Sequence, residues 1–248
     1  MTASTDGDHL SENMNSTKKT TRLPGLLFLL AAITGGFGLF YIRSYVIVPG
    51  DAAATVANIR ASELLFRAAI VGTLFSQVFT FFFGLTLFHF FREVNKRLAT
   101  VFLASVLMTV GLAVVNTLHH FEALLILSQA DYLKAFDPEQ LNAMAMTAIR
   151  LANSPGQGLL EIFWTPYYFS FGLLVFKYRF LPRVLGILLM IMGVGYAINI
   201  LDKFLIPQFH PVMFTRLAMS LGALGGIPTM LWLLIKGART QPLDEPAS

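Results

Sequence analysis

Six apolar segments, each long enough to cross a bilayer, constrain this chain more than any other feature. A hydrocarbon core about 30 Å thick takes about 20 residues of α-helix. The segments cover residues 24–48, 64–91, 98–127, 158–176, 184–206 and 212–235. Backbone polar groups in lipid must bond within their own segment, which favours helices. The sequence therefore predicts an all-α, polytopic membrane bundle of six transmembrane helices.

The composition leaves little room for a separate soluble domain. Hydrophobic residues make up 55% of the 248 residues and charged residues only 13%, against roughly a quarter charged in soluble domains. We predict a disordered cytoplasmic tail over residues 1–22, which are polar and contain no apolar run, a transmembrane domain over 23–238 and a short cytoplasmic tail over 239–248. The absence of cysteine excludes disulfides, thiolate metal sites and cysteine nucleophiles.

The basic residues predict the orientation of the bundle. Six spans put both termini on one side, and the Lys and Arg residues of that side number 11 of 18. They are Lys18, Lys19, Arg22, Arg92, Lys96, Arg97, Lys177, Arg179, Arg183, Lys236 and Arg239. The positive-inside rule then places both termini in the cytoplasm. The same rule accounts for the net charge of +4 without nucleic acid as a partner.

Two joints on the opposite, outer side are predicted to carry helices of their own. Asp51 can cap a short helix through Ala61, which we expect to merge with the second span. Asp137, Pro138 and Gln140 form a stronger start signal for a helix that ends near Asn153. Its predicted apolar stripe is Leu141, Met144, Ala148 and Leu151. This helix either packs on the bundle or lies over it as a lid or interfacial anchor.

Polar and ionisable residues inside the spans supply the candidate site. A charged residue costs about 2.5 to 3.5 kcal/mol at the centre of a transmembrane helix, so such residues should turn toward one another. On the third span, polar side chains fall within an arc of roughly 100° that reaches the outer end. The candidate ligand-binding residues are Arg67, Gln77, Asn116, His119, His120, Glu122, Glu161, Trp164, Tyr168, Asn199 and Asp202. They form either a ligand-binding cavity or a structural network of ion pairs.

Metal and cofactor chemistry receives weaker support from the sequence. His119 and Glu122 stand three residues apart on one helical face, and Glu161 or Asp202 would have to complete a metal site from another helix. No H-E-x-x-H motif is present. A haem would need two facing histidines at one depth, and His89 lies at the opposite end from His119. We therefore predict no metal, no cofactor and no catalytic residue.

Several short segments of the sequence resemble those of a bacterial family of multi-pass membrane proteins catalogued as a domain of unknown function (number 4386). The resemblance covers roughly residues 22–239 and rests on the segments 22–27, 48–55, 61–63, 66–67, 131–133, 138–141 and 181–186. These read RLPGLL, VPGDAAAT, ASE, FR, DYL, PEQL and LPRVLG. The resemblance implies a multi-pass protein in the bacterial cytoplasmic membrane and no particular activity.

Three functions are consistent with these observations. The first is a non-enzymatic protein that binds or moves a small or amphiphilic molecule in an outer cavity, where Arg67 engages an anion, Glu122 and Glu161 balance it, and Trp164 and Tyr168 add apolar contacts. The second is an intramembrane metal-dependent hydrolase using His119, His120 and Glu122. The third is an accessory or structural subunit. The expected partners are the lipid bilayer and a small-molecule or lipid ligand, and the oligomeric state is left open.

Overall fold

The computed structural model is helical throughout the part of the chain that it describes. It describes the backbone of residues 4–128, 130–153, 155–205 and 212–237, and the side chains of 22–128, 130–153, 158–202, 204–205 and 224–237. The helices are α1 (Ser4–Tyr41), α2 (Ala52–Ala61), α3 (Glu63–Ile126), α4 (Pro138–Asn153), α5 (Pro155–Tyr178), α6 (Arg183–Phe204) and α7 (Val212–Ile235). A π-helical turn, Ile42–Val46, follows α1, and a 3-10 turn, Asp131–Ala135, precedes α4. The prediction of an all-α protein is confirmed.

Four helical segments are long and apolar enough to cross a membrane, judged by length and composition. They are Arg22–Val46, Glu63–Ile126, Pro138–Tyr178 and Arg183–Asp202. A shorter apolar helix, Leu224–Ile235, lies within α7. The structure therefore supports a multi-pass membrane protein. Residue 206, the end of the fifth predicted span, and the joint 207–211 lie outside the described residues, as do the side chains of 212–223 in the sixth predicted span.

The longest helix, α3, consists of two arms joined at Asn95. The backbone of Asn95 is extended (φ −152°, ψ 91°), and its Oδ1 atom accepts a hydrogen bond from the backbone N–H of Leu98 at 3.0 Å. This is the N-cap geometry that starts a new helix. Residues 63–94 form the first arm and residues 96–126 the second. They correspond to the second and third predicted spans.

The joint between α1 and α3 is fixed by hydrogen bonds at both ends of α2. Gly50 has a positive φ of 82°, and Asp51 caps α2 by accepting from the backbone N–H of Ala54 at 2.8 Å. At the other end, Ser62 leaves the helical region (φ −136°, ψ 41°). The predicted merger of this helix with the second span is therefore wrong, because Ser62 interrupts the helix between them.

The start of α4 follows the predicted capping signal. Pro138 is its first residue, and the Gln140 side chain accepts a hydrogen bond from the backbone N–H of Asp137 at 2.9 Å. The predicted apolar stripe is half right: Ala148 is buried and Leu141 packs against the core, whereas Met144 and Leu151 are exposed. The buried face consists of Ala145, Met146, Ala148, Ile149 and Ala152.

The first helix begins earlier than the sequence indicates. Its backbone is helical from Ser4, within the segment for which we predicted a disordered tail. No proline interrupts residues 4–23, and Pro24 is tolerated inside the helix. The apolar part that could cross a membrane begins at Arg22, close to the predicted boundary.

The chain divides into two compact units. The first contains Met1–Leu29, Phe82–Val106 and Trp164–Ser248, and the second contains Leu30–Phe81 and Leu107–Phe163. In the first unit, the rings of Phe83, Phe91, Phe102 and Phe171 are at most 1% exposed and pack with centroids 5.5 to 6.4 Å apart. We call these four residues the phenylalanine cluster. Such ring pairs stabilise a core beyond the area that they bury.

Helices in both units approach each other at small residues. In the first unit, a Cβ atom added to Gly172 would lie 2.5 Å from the carbonyl oxygen of Gly186 on α6. In the second unit, Ser76 on the first arm donates a hydrogen bond to the carbonyl of Ala31 on α1 at 2.9 Å. Small residues at helix contacts are typical of membrane bundles, where close packing and interhelical hydrogen bonds replace the hydrophobic effect.

Candidate functional site

The candidate residues are divided between the two units. Four of them, Trp164, Tyr168, Asn199 and Asp202, belong to the first unit. The second unit contains the other seven, Arg67, Gln77, Asn116, His119, His120, Glu122 and Glu161.

Arg67 is paired on the surface with a residue of its own helix. Its guanidinium lies 2.7 Å from the carboxylate of Glu63, one turn earlier, and the two side chains are 55% and 52% exposed. Such an exposed pair contributes about 0.3–0.5 kcal/mol in a helix. An arginine that already has a carboxylate partner is less suited to hold an anionic ligand.

His119 and Glu122 form a second exposed pair. The Nδ1 atom of His119 lies 3.1 Å from a carboxylate oxygen of Glu122. The side chains are 35% and 53% exposed. The predicted spacing of three residues thus brings the two groups together, as a surface contact along the second arm.

Asn116 and His120 carry buried polar atoms that have no hydrogen-bond partner among the described residues. The side-chain nitrogen of Asn116 donates to the carbonyl of Ala152 in α4 at 2.9 Å. Because that carbonyl can only accept, the contact fixes the amide orientation and leaves Asn116 Oδ1 as an unpaired acceptor. His120 Nε2 is likewise buried and unpaired. The two residues are one helical turn apart on the same face of the second arm.

His120 contacts the apolar core of the second unit through one ring. The ring of Phe66, from the first arm, packs edge-on against the imidazole with centroids 6.1 Å apart. Phe66 is fully buried and belongs to the core of the second unit together with Ile70 and Ala123. An unpaired polar atom in such a place costs about 1–3 kcal/mol. We call Asn116 and His120 the polar pair.

Two other candidates of the second unit have different surroundings. Glu161 on α5 is only 4% exposed. Gln77, on the first arm, donates to the carbonyl of Thr73 on its own helix at 3.5 Å. The hydrogen bond of Gln77 therefore stays within its own helix.

Two of the four candidates in the first unit belong to a group of aromatic rings. Trp164 and Tyr168 pack on Tyr196 of α6, with centroids 4.9 Å and 5.6 Å away. Tyr168 also contacts Tyr167 at 4.4 Å. Asn199 is half-buried, and one buried carboxylate oxygen of Asp202 has no hydrogen bond to any residue that the structure describes. These rings fill space against one another, as core residues do.

The described residues give no support to a metal centre. No group of three His, Asp or Glu side chains among them is placed to hold a metal ion. The exposed His119–Glu122 pair lacks the third donor that a zinc site requires.

The sequence missed two features of the first unit. Asn95 donates a hydrogen bond from Nδ2 to the hydroxyl of Tyr178 at 3.0 Å, which joins the turn of α3 to the end of α5. On α7, Thr229 and Trp232 each have a buried polar atom for which the described part of the chain supplies no partner. An asparagine in the middle of a basic joint was a visible signal for the first feature.

Comparison with known proteins identifies a family. A family model described as a domain of unknown function (DUF4386) matches residues 23–237. No curated protein and no solved structure matches the chain. The match covers the helices from Pro24 in α1 to the end of α7 and confirms the resemblance seen in the sequence. The chain belongs to the DUF4386 family.

Proposed function

We propose that this protein binds a neutral, hydroxyl-bearing amphiphile, or moves it across the membrane, and that the polar pair recognises the hydroxyl group. The proposal includes six transmembrane helices, both termini in the cytoplasm and a location in the bacterial cell membrane. The observation that carries it is the pair of buried, unpaired atoms, Asn116 Oδ1 and His120 Nε2, on one face of the second arm.

The chemistry of the polar pair favours a hydroxyl over an anion. The amide oxygen of Asn116 can only accept a hydrogen bond, so it repels a carboxylate or phosphate. The Nε2 atom of His120 donates or accepts, depending on the tautomer of the ring. A hydroxyl group can donate one hydrogen bond through its proton and accept others through its oxygen. It can therefore donate to Asn116 Oδ1 and accept from a protonated His120 Nε2 at the same time.

Ligand binding would also remove a free-energy cost that the ligand-free protein carries. Each unpaired buried atom costs about 1–3 kcal/mol, and a bound hydroxyl removes that cost. Both atoms are closed to solvent here, so binding requires the neighbouring side chains to part. Phe66 and α4, which contact the polar pair, are the elements that would move. In this proposal Arg67 has no role in ligand binding.

The direct test compares two lipids that differ at the polar end. We expect 1-monoolein, which has two hydroxyls, to raise the apparent melting temperature of the detergent-purified protein, whereas methyl oleate, which has none, should have little effect. Saturation near 100 times Kd adds about 2.7 kcal/mol, equivalent to about 5–10 °C for a chain of this size. Equal stabilisation by both lipids would contradict the proposal.

Variants separate the polar pair from general lipid binding. Asn116→Leu and His120→Phe should each abolish the difference between the two lipids. Gln77→Leu is the matched control. Gln77 is another amide within a membrane helix, but it donates to the Thr73 carbonyl of its own helix. A difference between the lipids that survives in both Asn116→Leu and His120→Phe would refute the assignment.

The proposed topology has an independent test, since the chain contains no cysteine. Ser128→Cys and Lys96→Cys introduce single thiols at exposed positions in two different joints. In intact cells, a membrane-impermeant maleimide should label Cys at 128 and should label Cys at 96 only after permeabilisation. The reverse pattern would invert the proposed orientation.

A further inference from the structure

The two turns at one end of the first unit form a single basic surface. The first turn, residues 92–97, joins the arms of α3, and the second, residues 177–183, joins α5 to α6. Phe180 of the second turn packs on Phe90 and Phe91, with ring centroids 4.8 Å and 5.6 Å apart. We call these two segments the paired turns.

The charge of the paired turns is strongly unbalanced. They contain six exposed cations and one carboxylate, that of Glu93. The cations are Arg92, Lys96, Arg97, Lys177, Arg179 and Arg183. In the part of the chain with described side chains, none of the six forms an ion pair. Cations crowded in this way repel each other unless an external anion is bound.

Several contacts hold this charge in place. The Asn95 side chain donates to the hydroxyl of Tyr178 at 3.0 Å, so the turns are linked directly. The ammonium of Lys177 lies over the ring of Tyr178 at 5.7 Å. The guanidinium of Arg183 lies over the ring of Phe176 at 5.5 Å. A positioned set of cations loses less entropy on binding an anion than a flexible one.

Arg179 occupies a backbone conformation that favours glycine. It follows the last residue of α5 with φ +55°, in the left-handed region that costs a residue with a side chain roughly 1–2 kcal/mol. At the end of α7, the corresponding left-handed residue is Gly237, with φ +69°. The chain therefore places an arginine where glycine fits at lower cost, which points to a use for the guanidinium.

We propose that the paired turns bind the phosphate headgroup of an anionic phospholipid in the adjoining leaflet. The surface is basic and exposed, and it borders apolar helices that are long enough to cross a membrane. A cation near an anionic membrane surface contributes about 1 kcal/mol, which corresponds to a factor of about five in affinity. Arginine also binds phosphate through two parallel hydrogen bonds.

The test measures binding of phosphatidylglycerol to the full-length protein in phosphatidylcholine nanodiscs. The double variant Lys96→Gln and Lys177→Gln, one change in each turn, should weaken phosphatidylglycerol binding about 25-fold, from the same factor of about five per cation. The matched control is Arg60→Gln with Arg150→Gln, which removes two exposed cations from the second unit. This control should bind phosphatidylglycerol like the wild type. Equal losses in both double variants would overturn the proposal.

Two further variants examine the arrangement rather than the number of charges. Tyr178→Phe keeps all six cations but removes the hydroxyl that accepts from Asn95, and it should weaken phosphatidylglycerol binding by about threefold, less than the loss of one cation. Arg179→Gly should raise the apparent melting temperature in phosphatidylcholine by about 2–4 °C, because it relieves the left-handed strain, while lowering phosphatidylglycerol affinity. Unchanged affinity in both variants would overturn the proposal.

The source of the phosphate is tested by competition. Inorganic phosphate at millimolar concentration should not displace phosphatidylglycerol, since a free ion lacks the acyl chains that hold the lipid against the helices. Complete displacement by inorganic phosphate would identify a soluble anion site and refute a lipid site. Binding of an acidic soluble protein in place of the lipid would refute it as well.

Discussion

The phenylalanine cluster of the first unit and two polar atoms of the second, Asn116 Oδ1 and His120 Nε2, are buried, yet burial has opposite consequences for them. Phe83, Phe91, Phe102 and Phe171 gain contacts on every side, so removing one leaves a cavity. Asn116 and His120 have buried atoms that gain nothing, so replacing them by apolar groups relieves a cost. Residues that destabilise the free protein in this way are typical of functional sites.

The largest expected effect is in the phenylalanine cluster. Phe102 is fully buried, and Phe102→Ala should lower the free energy of unfolding by about 3–5 kcal/mol. Thermal unfolding in detergent measures this loss. Phe121→Ala on the same arm is the control, because Phe121 is 42% exposed, and it should cost much less. Similar losses in the two variants would show that the cluster is not a packed core.

The next effect concerns the contact between α5 and α6 in the same unit. The Cβ atom of Gly172→Ala would lie 2.5 Å from the carbonyl oxygen of Gly186. Neither atom can rotate away, because the oxygen belongs to the backbone and the Cβ atom is attached directly to it. Overpacking of this kind costs about 1–3 kcal/mol, measured as a lower apparent melting temperature. Gly111→Ala has no atom within 4 Å and should stabilise α3 by about 0.5–1 kcal/mol. A neutral Gly172→Ala would mean that these helices can separate freely.

The polar pair predicts a smaller effect of opposite sign. His120→Phe replaces an unpaired imidazole by a ring of similar shape beside Phe66, so the ligand-free protein should become more stable by about 1 kcal/mol. This corresponds to a rise of about 2–4 °C in melting temperature. Asn116→Leu is a poorer probe of stability, because it also removes the donor to the Ala152 carbonyl. A clear loss of stability in His120→Phe would show that the buried His120 stabilises the fold, as the phenylalanine cluster does.

The smallest effect is expected at the surface of the second unit. Glu63→Gln breaks an exposed pair with Arg67 and should cost no more than about 0.5 kcal/mol. It should also leave the response to 1-monoolein unchanged, because Arg67 has no ligand role in the proposal. Loss of that response would show that Arg67 contributes to ligand binding and would support the anion-binding hypothesis drawn from the sequence.

The helices were predictable because their signals are local. Apolar length indicated α1, both arms of α3 and α5 to α7, while Asp51 and the Asp137–Gln140 box marked the starts of two short helices. The buried face of α4 was only half predicted, because Ala145, Met146, Ile149 and Ala152 are buried beside Ala148, whereas Met144 and Leu151 are exposed. Hydrophobic periodicity weights residue size and cannot indicate which neighbour approaches closely.

The candidate site was less predictable for a similar reason. Helical spacing correctly put Asn116 and His120 on one face, and it anticipated the His119–Glu122 contact. It could not show that the Asn116 amide donates to a carbonyl of α4, nor that Arg67 is paired on the surface. Whether a polar atom has a partner depends on segments distant in sequence, so the unpaired atoms became visible only in the folded chain.

The central claim, that the polar pair binds a hydroxyl group, is tested most directly by the ring nitrogens of His120. The protein contains five histidines, so the His120 signals in a spectrum of 15N-histidine-labelled protein can be assigned by their absence in His120→Phe. We predict that 1-monoolein shifts the Nε2 resonance of His120, as a new hydrogen bond requires, and that methyl oleate does not. An Nε2 resonance that is unchanged at saturating 1-monoolein would contradict the account.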